Sequence, residues 1–323
     1  MSDFPEPQNY RKGISASHFR FLDSFLLDEN PHLFILKKEK NQYLYDVDGN
    51  KYVDFFLNNG TVLLGHSHPV INHLIKDAIS YSTESVFLNK FYYKTVKLFK
   101  SIINFGGIAF YSSFNRAVFE ILLYLKVERL AVNSRYLFYL IEKCFPFAKV
   151  EMVQKDVQYD LILFEPLNFD EDLSIFLIDN YNAKFKVSVE NRCAFRIRDG
   201  FIHDLKTADF IVAGNIIANG MDCAVVLSRN RIKGEILPVY KTVAIQSTLK
   251  YLIRHRDISY PALNLPFLKF QNRSIFKFDR NIDTEKLLPY GIFFSGDTGF
   301  LSYLHTENDI KRLKKALEAN FFS

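Results

Sequence analysis

Short apolar runs alternate with segments of helical apolar spacing between Gly107 and Leu227, and this alternation restricts the fold more than any other feature of the chain. Runs of four or five apolar residues, such as residues 210–213, are typical of strands buried on both faces. Three predicted helices lie between the strands, over residues 117–127, 136–145 and 172–180. This βαβ rhythm predicts an α/β fold with a mainly parallel central sheet and helices on both faces.

The segments on either side follow a different pattern. Residues 34–55 alternate apolar and polar positions around a polar turn at residues 46–50, which predicts a small antiparallel meander. A helix is expected over residues 15–27, and a second helix over 69–82 with Pro69 in its first turn. After residue 240 we expect a helix to about residue 255, mixed strands at 274–278, 291–294 and 300–303, and a final helix from Glu307.

These patterns predict three parts. They are an N-terminal segment with small-domain strands (1–65), a large α/β domain (66–240) and a small C-terminal α+β domain (241–323).

Charge and cysteine content narrow the function classes. The 41 basic and 36 acidic residues give a net charge of +5 that is spread along the chain, which argues against nucleic acid or a membrane surface as a partner. Cys144, Cys193 and Cys223 are too few and too far apart for a disulfide framework or a zinc site. Without an apolar leader segment, the chain is expected in the reducing cytoplasm.

Motifs at both ends of the chain share the order and spacing of a known family. They lie at residues 33–35, 43–54 and 65–69, at the Glu165 strand end (164–166), and along the tail at 291–310. This set resembles the class III, fold-type I aminotransferases, and within them the glutamate-1-semialdehyde aminomutases. The resemblance implies a PLP-transferase-like fold, pyridoxal phosphate (PLP) as the family cofactor, and a dimer with sites at the subunit interface.

The position of the family's cofactor-binding lysine is occupied by Asn215. Residues 208–220 match the family's strand, turn and glycine-rich stretch without a gap. A carboxamide is not a nucleophile and cannot form a Schiff base. Lys206 and Lys233 are close in sequence, but neither follows the end of a strand.

The resemblance places Val189 where the family has the aspartate that pairs with the pyridine nitrogen. Phe195 and Arg196 define the alignment, and Glu190 matches a family glutamate. A slip of one residue would turn Glu190 to the opposite face of its strand, so Glu190 is not expected to replace the aspartate.

The family's phosphate-binding turn corresponds to residues 112–117. Phe114 replaces a glycine there, and its ring would fill the space of the phosphate. Ser112, Ser113, Asn115 and Arg116 could still hold an anion, although a serine before a helix is more typical of an N-cap. The family segment whose aromatic ring stacks on the cofactor has no counterpart between Leu130 and Phe145.

Several further residues have two interpretations. Thr242 resembles the threonine that reaches the phosphate of the neighbouring subunit, with helix N-capping as the alternative. Glu165 could serve in acid–base chemistry, but a strand-end contact is expected instead. His66 and His68 could be a pair of metal ligands, with His73 as a third. The resemblance instead implies that they belong to a structural turn and the start of a helix, so no metal site is expected.

Four cofactor-site elements are thus altered together, which predicts a pseudoenzyme with no catalytic residue and no covalently bound cofactor. Its vestigial cleft could take a small-molecule ligand. The cleft residues would be Ser112, Ser113, Asn115, Glu165, Glu190 and Thr242. The chain would act as a binding, scaffold or partner subunit, in a homodimer or in a heterodimer with a related aminotransferase. Two alternatives stay open: a working PLP-dependent aminotransferase or aminomutase whose lysine lies elsewhere, and an enzyme that uses the cleft without covalent PLP.

Overall fold

A seven-stranded sheet forms the centre of the protein. The computed structural model describes residues 36–82, 87–145, 149–255 and 260–321. The strands are β4 (Gly107–Tyr111), β5 (Leu130–Val132), β6 (Val150–Met152), β7 (Gln158–Phe164), β8 (Asn182–Val189), β9 (Phe210–Ala213) and β10 (Ala224–Ser228). Their order is β4-β10-β9-β8-β7-β5-β6, and only β10 runs antiparallel to its neighbours. The predicted α/β fold with a mainly parallel sheet is confirmed.

Helices cover both faces of this sheet, because successive side chains of its buried strands point to opposite sides. The helices are α1 (Pro69–Tyr81), α2 (Lys90–Lys100), α3 (Phe114–Leu125), α4 (Arg135–Cys144) and α5 (Val239–Arg254). Val212 and Val226 pack with α3 and α4 on one face. Ile211 and Val225 pack with α1, α2 and α5 on the other.

Two smaller sheets come from the ends of the described chain. In the first, β1 (Leu36–Lys40), β2 (Tyr43–Asp46) and β3 (Lys51–Asp54) form the predicted meander, and β13 (Ile292–Phe293) pairs with β3 in parallel. The second sheet contains β11 (Leu268–Asn272), β12 (Ile275–Ile282) and β14 (Gly296–Phe300). Helices α6 (Thr284–Leu287) and α7 (Glu307–Phe321) complete this part. We call residues 36–68 and 260–321 together the terminal scaffold.

Arg196 joins the terminal scaffold to the central sheet. Its guanidinium is fully buried and donates to the carbonyl oxygens of Gly60 (2.9 and 2.7 Å), Val62 (3.1 Å) and Leu301 (2.6 Å) and to Ser274 Oγ (3.3 Å). Burial lowers the pKa of Arg196 to about 10. This one side chain therefore ties both halves of the terminal scaffold to the loop that follows β8.

Two predicted elements are wrong. Residues 172–180 were expected as a helix, but only Ile178–Asn180 forms a short 3-10 turn. Asp172 Oδ1 accepts the N–H of Ser174, and Leu173 takes a left-handed backbone, so local turn chemistry replaces the helix. The last strand ends at Phe300 instead of beginning there, because Ser302 N–H turns to bond His305 Nδ1.

One predicted helix and the predicted domain boundaries are not decided by the structure. The predicted helix over residues 15–27 lies outside the described residues. The division at residues 65/66 and 240/241 stays a prediction. Within the described ranges, every helix is too short or too polar to cross a bilayer.

Candidate functional site

The carboxyl ends of β7, β8 and β9 lie side by side, and we call this region the carboxyl edge. Parallel strands bring the residues that follow them to the same edge of a sheet, where open α/β folds bind ligands. Glu165 follows β7, Val189 ends β8, and Asn215 lies two residues after β9. Helix α3 begins beside them, after β4.

Val189 and Glu190 point in opposite directions. Val189 is fully buried against α3 and α4. Glu190 is also fully buried, and its Oε1 accepts the backbone N–H groups of Ile202 (2.7 Å) and His203 (2.9 Å). Burial raises the pKa of Glu190 to about 7, against the opposing effect of these two hydrogen bonds. Glu190 is therefore committed to a loop on the other side of its strand from Val189.

Asn215 begins a short 3-10 turn, Asn215–Ala218. Its Oδ1 is buried, and no hydrogen-bond partner for it lies in the described parts of the chain. Lys206 and Lys233 are exposed on separate loops, where the Lys206 carbonyl accepts Arg229 Nη2 and the Lys233 carbonyl accepts the Tyr111 hydroxyl.

The chain's own side chains occupy the space around Gly214. A Cβ on Gly214 would overlap Asn191 Oδ1 and would lie 2.8 Å from Phe114 Cδ2. Asn191 is 3% exposed, and its Nδ2 donates to Tyr136 Oη at 3.4 Å. Glycine is therefore required here, because Asn191 and Phe114 close in on the backbone beside Asn215.

Glu165 forms a buried ion pair with Arg192. Arg192 Nε and Nη2 donate to the two carboxylate oxygens at 2.7 and 2.5 Å, and Ser134 Oγ donates to Oε2 at 2.7 Å. The guanidinium lies 3.8 Å from the ring centroid of Phe169 and 4.7 Å from that of Tyr136. These three donors take three of the about four lone-pair positions of the carboxylate, so Glu165 makes a structural contact at the end of its strand.

The amino end of α3 is also satisfied by the chain itself. Ser113 is the N-cap, and its Oγ accepts Arg116 N–H at 3.0 Å, as predicted for a serine before a helix. Ser112 N–H donates to Glu235 Oε2 at 2.8 Å, and Phe114 N–H donates to Asp222 Oδ1 at 3.2 Å. Two carboxylates thus take the positive end of this helix.

The other residues of this turn make local contacts. Asn115 Nδ2 lies 3.7 Å from Cys144 Sγ. Lys241 Nζ donates to the carbonyl oxygens of Ser112 (2.7 Å) and Asp222 (2.8 Å). Thr242 is buried in the first turn of α5, and its Oγ1 bonds the Pro238 carbonyl at 3.4 Å. The N-cap alternative for Thr242 is wrong, because Pro238 holds that position.

The described partners of His66, His68 and His73 lie outside the residues of the carboxyl edge. His66 Nε2 is 2.7 Å from Asp54 Oδ2, and its Nδ1 is 3.1 Å from Glu39 Oε2. Burial opposes protonation, but these two carboxylates raise the pKa of His66 to about 9. His68 packs edge-on against Tyr251, and His73 is exposed. Within the residues the structure describes, no three His, Cys, Asp or Glu side chains are placed to share a metal ion.

Four polar residues of this region were missed in the sequence: Arg192, Asp222, Glu235 and Lys241. Arg192 falls within the aligned stretch after β8, so its charge beside a strand end was an available signal. Asp222, Glu235 and Lys241 come from segments far from Ser112 in sequence, and only the fold brings them to the turn.

Neither Asn215 nor Val189 carries a side-chain group that could hold PLP covalently. Asn215 offers no amine, and Val189 offers no carboxylate for a pyridinium. The N–H groups of Ser112 and Phe114 that would face a phosphate already donate to carboxylates.

Sequence comparison connects the first part of the chain to one family. The family model described as Aminotransferase class-III matches residues 27–114. Glutamate-1-semialdehyde 2,1-aminomutase from Sulfurihydrogenibium azorense is 34% identical over 80 residues, which is 25% of this chain and 18% of that protein. The same enzyme from Desulfotalea psychrophila is 47% identical over 51 residues, 16% of this chain and 12% of that protein. The matched segments thus span less than a fifth of these curated relatives.

Solved structures extend the likeness in fold to nearly the whole chain. Ornithine aminotransferase from Toxoplasma gondii ME49 has a TM-score of 0.72 at 13% identity, covering 99% of both chains. An omega-transaminase from Sphaerobacter thermophilus has a TM-score of 0.72 at 14% identity, covering 97% of this chain and 98% of that one. Residues 27–114 are therefore similar in sequence to the class III aminotransferases, and nearly the whole chain shares the fold of the solved aminotransferases.

Proposed function

We propose that this protein is an aminotransferase-fold pseudoenzyme that does not bind PLP covalently and acts as a binding, scaffold or partner subunit. One observation carries the proposal: Asn215 and Val189 stand at the ends of β9 and β8, where a lysine and an aspartate are needed. Neither a carboxamide nor an isopropyl group can do the chemistry of those residues.

The surroundings of these two positions support the proposal. Asn191 and Phe114 pack closely against Gly214. Arg192 forms an ion pair with Glu165, the carboxylate that could otherwise serve in acid–base chemistry. The Glu165 carboxylate and the N–H groups at the start of α3 are already bonded within the chain, which leaves these groups little capacity for a reacting substrate.

Incubation with PLP, followed by borohydride reduction and mass spectrometry, tests this directly. We expect no saturable absorbance change near the aldimine band and no reduced adduct. Asn215→Lys serves as the matched variant, because it restores an amine at the one position where the alignment expects it. A stoichiometric adduct on a single lysine of the unmodified chain would support a working PLP enzyme and overturn the proposal.

Saturable PLP binding without an adduct would instead favour an enzyme that uses the cofactor noncovalently. That outcome would also contradict the pseudoenzyme proposal. We therefore include a titration monitored before reduction.

Assembly with a second aminotransferase-fold chain belongs to the same proposal. Three large apolar side chains around the junction of α1 and α2 are strongly exposed: Tyr81 (73%), Leu88 (70%) and Tyr93 (66%). Large apolar side chains that are this exposed are typical of a protein contact where they form one patch. Light scattering after gel filtration should give the mass of a dimer for the wild type and of a monomer for Leu88→Glu. A monomeric wild type that retains no related aminotransferase on co-purification would contradict it.

A cytoplasmic location completes the proposal. Cys144, Cys193 and Cys223 are all free thiols, which suits a reducing compartment.

A further inference from the structure

The segment between β10 and α5 lies against the edge of the central sheet. We call residues 229–238 the Glu235 arm; they form neither helix nor strand. Glu235 N–H donates to the Phe110 carbonyl of the edge strand β4 at 2.7 Å, and the Tyr111 hydroxyl donates to the Lys233 carbonyl at 2.6 Å. The arm is therefore attached to the strand that leads directly into Ser112.

A glycine allows this close approach. A Cβ on Gly234 would lie 2.7 Å from Phe110 N and 2.9 Å from Ala109 Cβ, closer than side chains pack. On the other side, the Tyr92 hydroxyl donates to the Glu235 carbonyl at 3.1 Å and accepts the N–H of Leu237. The backbone of the arm is thus held from two directions, which fixes where the Glu235 side chain points.

The Glu235 carboxylate binds the positive end of α3. Its Oε2 accepts Ser112 N–H at 2.8 Å, and its Oε1 accepts Arg116 Nε at 3.1 Å. Partial burial opposes ionisation, but the hydrogen bonds from Ser112 and Arg116 outweigh it and lower the pKa of Glu235. The group is therefore an anion that occupies an anion-binding turn.

Two further groups shape the same turn. Asp222 Oδ1 accepts Phe114 N–H at 3.2 Å, so a second carboxylate lies beside the first. Lys241 Nζ bonds the carbonyl oxygens of both Ser112 and Asp222 and holds the two loops together. Without Glu235, the turn would present the Ser112 N–H and the Arg116 guanidinium, the kind of donors that bind a tetrahedral oxyanion.

We propose that Glu235 is an intramolecular ligand that closes an oxyanion site at the amino end of α3, and that its removal opens the site to inorganic phosphate or a phosphate monoester. The inference rests on the proposed function, because the same turn must be free of a cofactor phosphate. It adds that the turn is blocked by a specific residue of the chain, and not merely altered in sequence.

Titration calorimetry with inorganic phosphate at constant ionic strength tests the closed site. Glu235→Ala should bind phosphate at least about tenfold more tightly than the wild type, since it frees both donors. Glu235→Gln removes the charge but keeps an acceptor, so an intermediate gain is expected. Glu120→Gln is the matched control: Glu120 pairs with Arg116 Nη2 at 2.6 Å, and its replacement leaves Glu235 on Ser112.

Equal gains in Glu235→Ala and Glu120→Gln would overturn the proposal, because a general loss of negative charge would explain them. A Glu235→Ala variant with a native circular dichroism spectrum and wild-type phosphate affinity would overturn it as well. If that variant does not fold, Glu235→Gln decides by the same criteria. Failure here without a PLP adduct in the borohydride experiment would remove only the role of Glu235 and leave the proposed function intact.

Discussion

In the terminal scaffold the buried His66 lies between two carboxylates, whereas at the carboxyl edge the buried Glu190 keeps one carboxylate oxygen unpaired within the described ranges. In the scaffold, Asp54 bonds His66, and Asp309 accepts Gln42 Nε2 (3.0 Å) and the N–H of Thr306 (2.8 Å). Near the carboxyl edge, four buried atoms have no hydrogen-bond partner within the described ranges: Ser188 Oγ, Glu190 Oε2, Asn191 Oδ1 and Asn215 Oδ1. An unpaired buried polar atom costs about 1–3 kcal/mol. The terminal scaffold also contains such atoms, His68 Nδ1 and His305 Nε2 among them, so the two regions differ in how His66 and Glu190 are paired and not in whether unpaired atoms occur.

The largest effect is expected at Arg196, where the two regions meet. Arg196→Met would leave the carbonyl oxygens of Gly60, Val62 and Leu301 without their buried donor, and should lower the free energy of unfolding by about 5 kcal/mol. Urea denaturation followed by circular dichroism measures this. Arg231→Met, at an exposed arginine, is the control and should stay within about 0.5 kcal/mol of the wild type. Equal losses in both variants would mean that Arg196 does not join the regions.

Glu165→Gln tests the ion pair of the carboxyl edge. It leaves the buried Arg192 charge without an anion and should destabilise the protein by about 4 kcal/mol. Adding Arg192→Met should restore part of this loss, since the second change removes the unpaired charge. If the two losses simply add in a double-mutant cycle, the pair makes no coupled contribution.

Glu190 should make stability depend on pH below neutrality. Its pKa is about 7 in the fold against an ordinary 4.5, so the native state holds a proton that the unfolded chain releases. Stability should therefore fall by about 3 kcal/mol as pH rises from 4.5 to 7. Glu190→Gln should remove this slope in urea midpoints measured at half-unit pH intervals. A slope that survives the substitution would assign it to another group.

His66 should make stability depend on pH at higher pH than Glu190 does. Its charged form stabilises the fold, whereas for Glu190 the neutral form does. Its folded pKa of about 9 exceeds the ordinary 6.5, so the stabilisation is complete below pH 6.5 and is lost as pH rises through 9. Because Glu39 is partly exposed, we expect about 2 kcal/mol. His66→Gln should flatten the stability curve above pH 6.5 only. Together with Glu190, it would show that the charge on His66 stabilises the fold, whereas the charge on Glu190 destabilises it.

The smallest effect is expected at the start of α3. Ser113→Ala removes the N-cap and should cost about 1 kcal/mol, measured by thermal unfolding. Because Glu235 and Asp222 still hold the turn, phosphate affinity should not change. A gain in phosphate binding by Ser113→Ala would show that the cap, and not Glu235, closes the turn.

Much of the fold could be predicted because its strands are short apolar runs between polar residues. The strand at residues 210–213 was predicted to the residue, and the meander followed from its turn at residues 46–50. The helix over 172–180 failed because one Asx turn at Asp172 outweighs helical spacing. At the site, the alignment identified positions such as Asn215, but the contact between Glu235 and Ser112 joins residues 123 apart and depends on the complete fold.

The parallel pairing of β13 with β3 sets the order in which this protein can mature on a ribosome. Val53 and Asp54 meet Ile292 and Phe293 across the ladder, and Gln42 meets Asp309 from a helix 267 residues further along. Strand β3 is therefore synthesised before the whole central sheet, and its partner strand β13 is synthesised only after that sheet. Contacts between residues so far apart in sequence make folding slow. Until β13 is synthesised, the edge of β3 stays unpaired, and during that stage a chaperone would be needed.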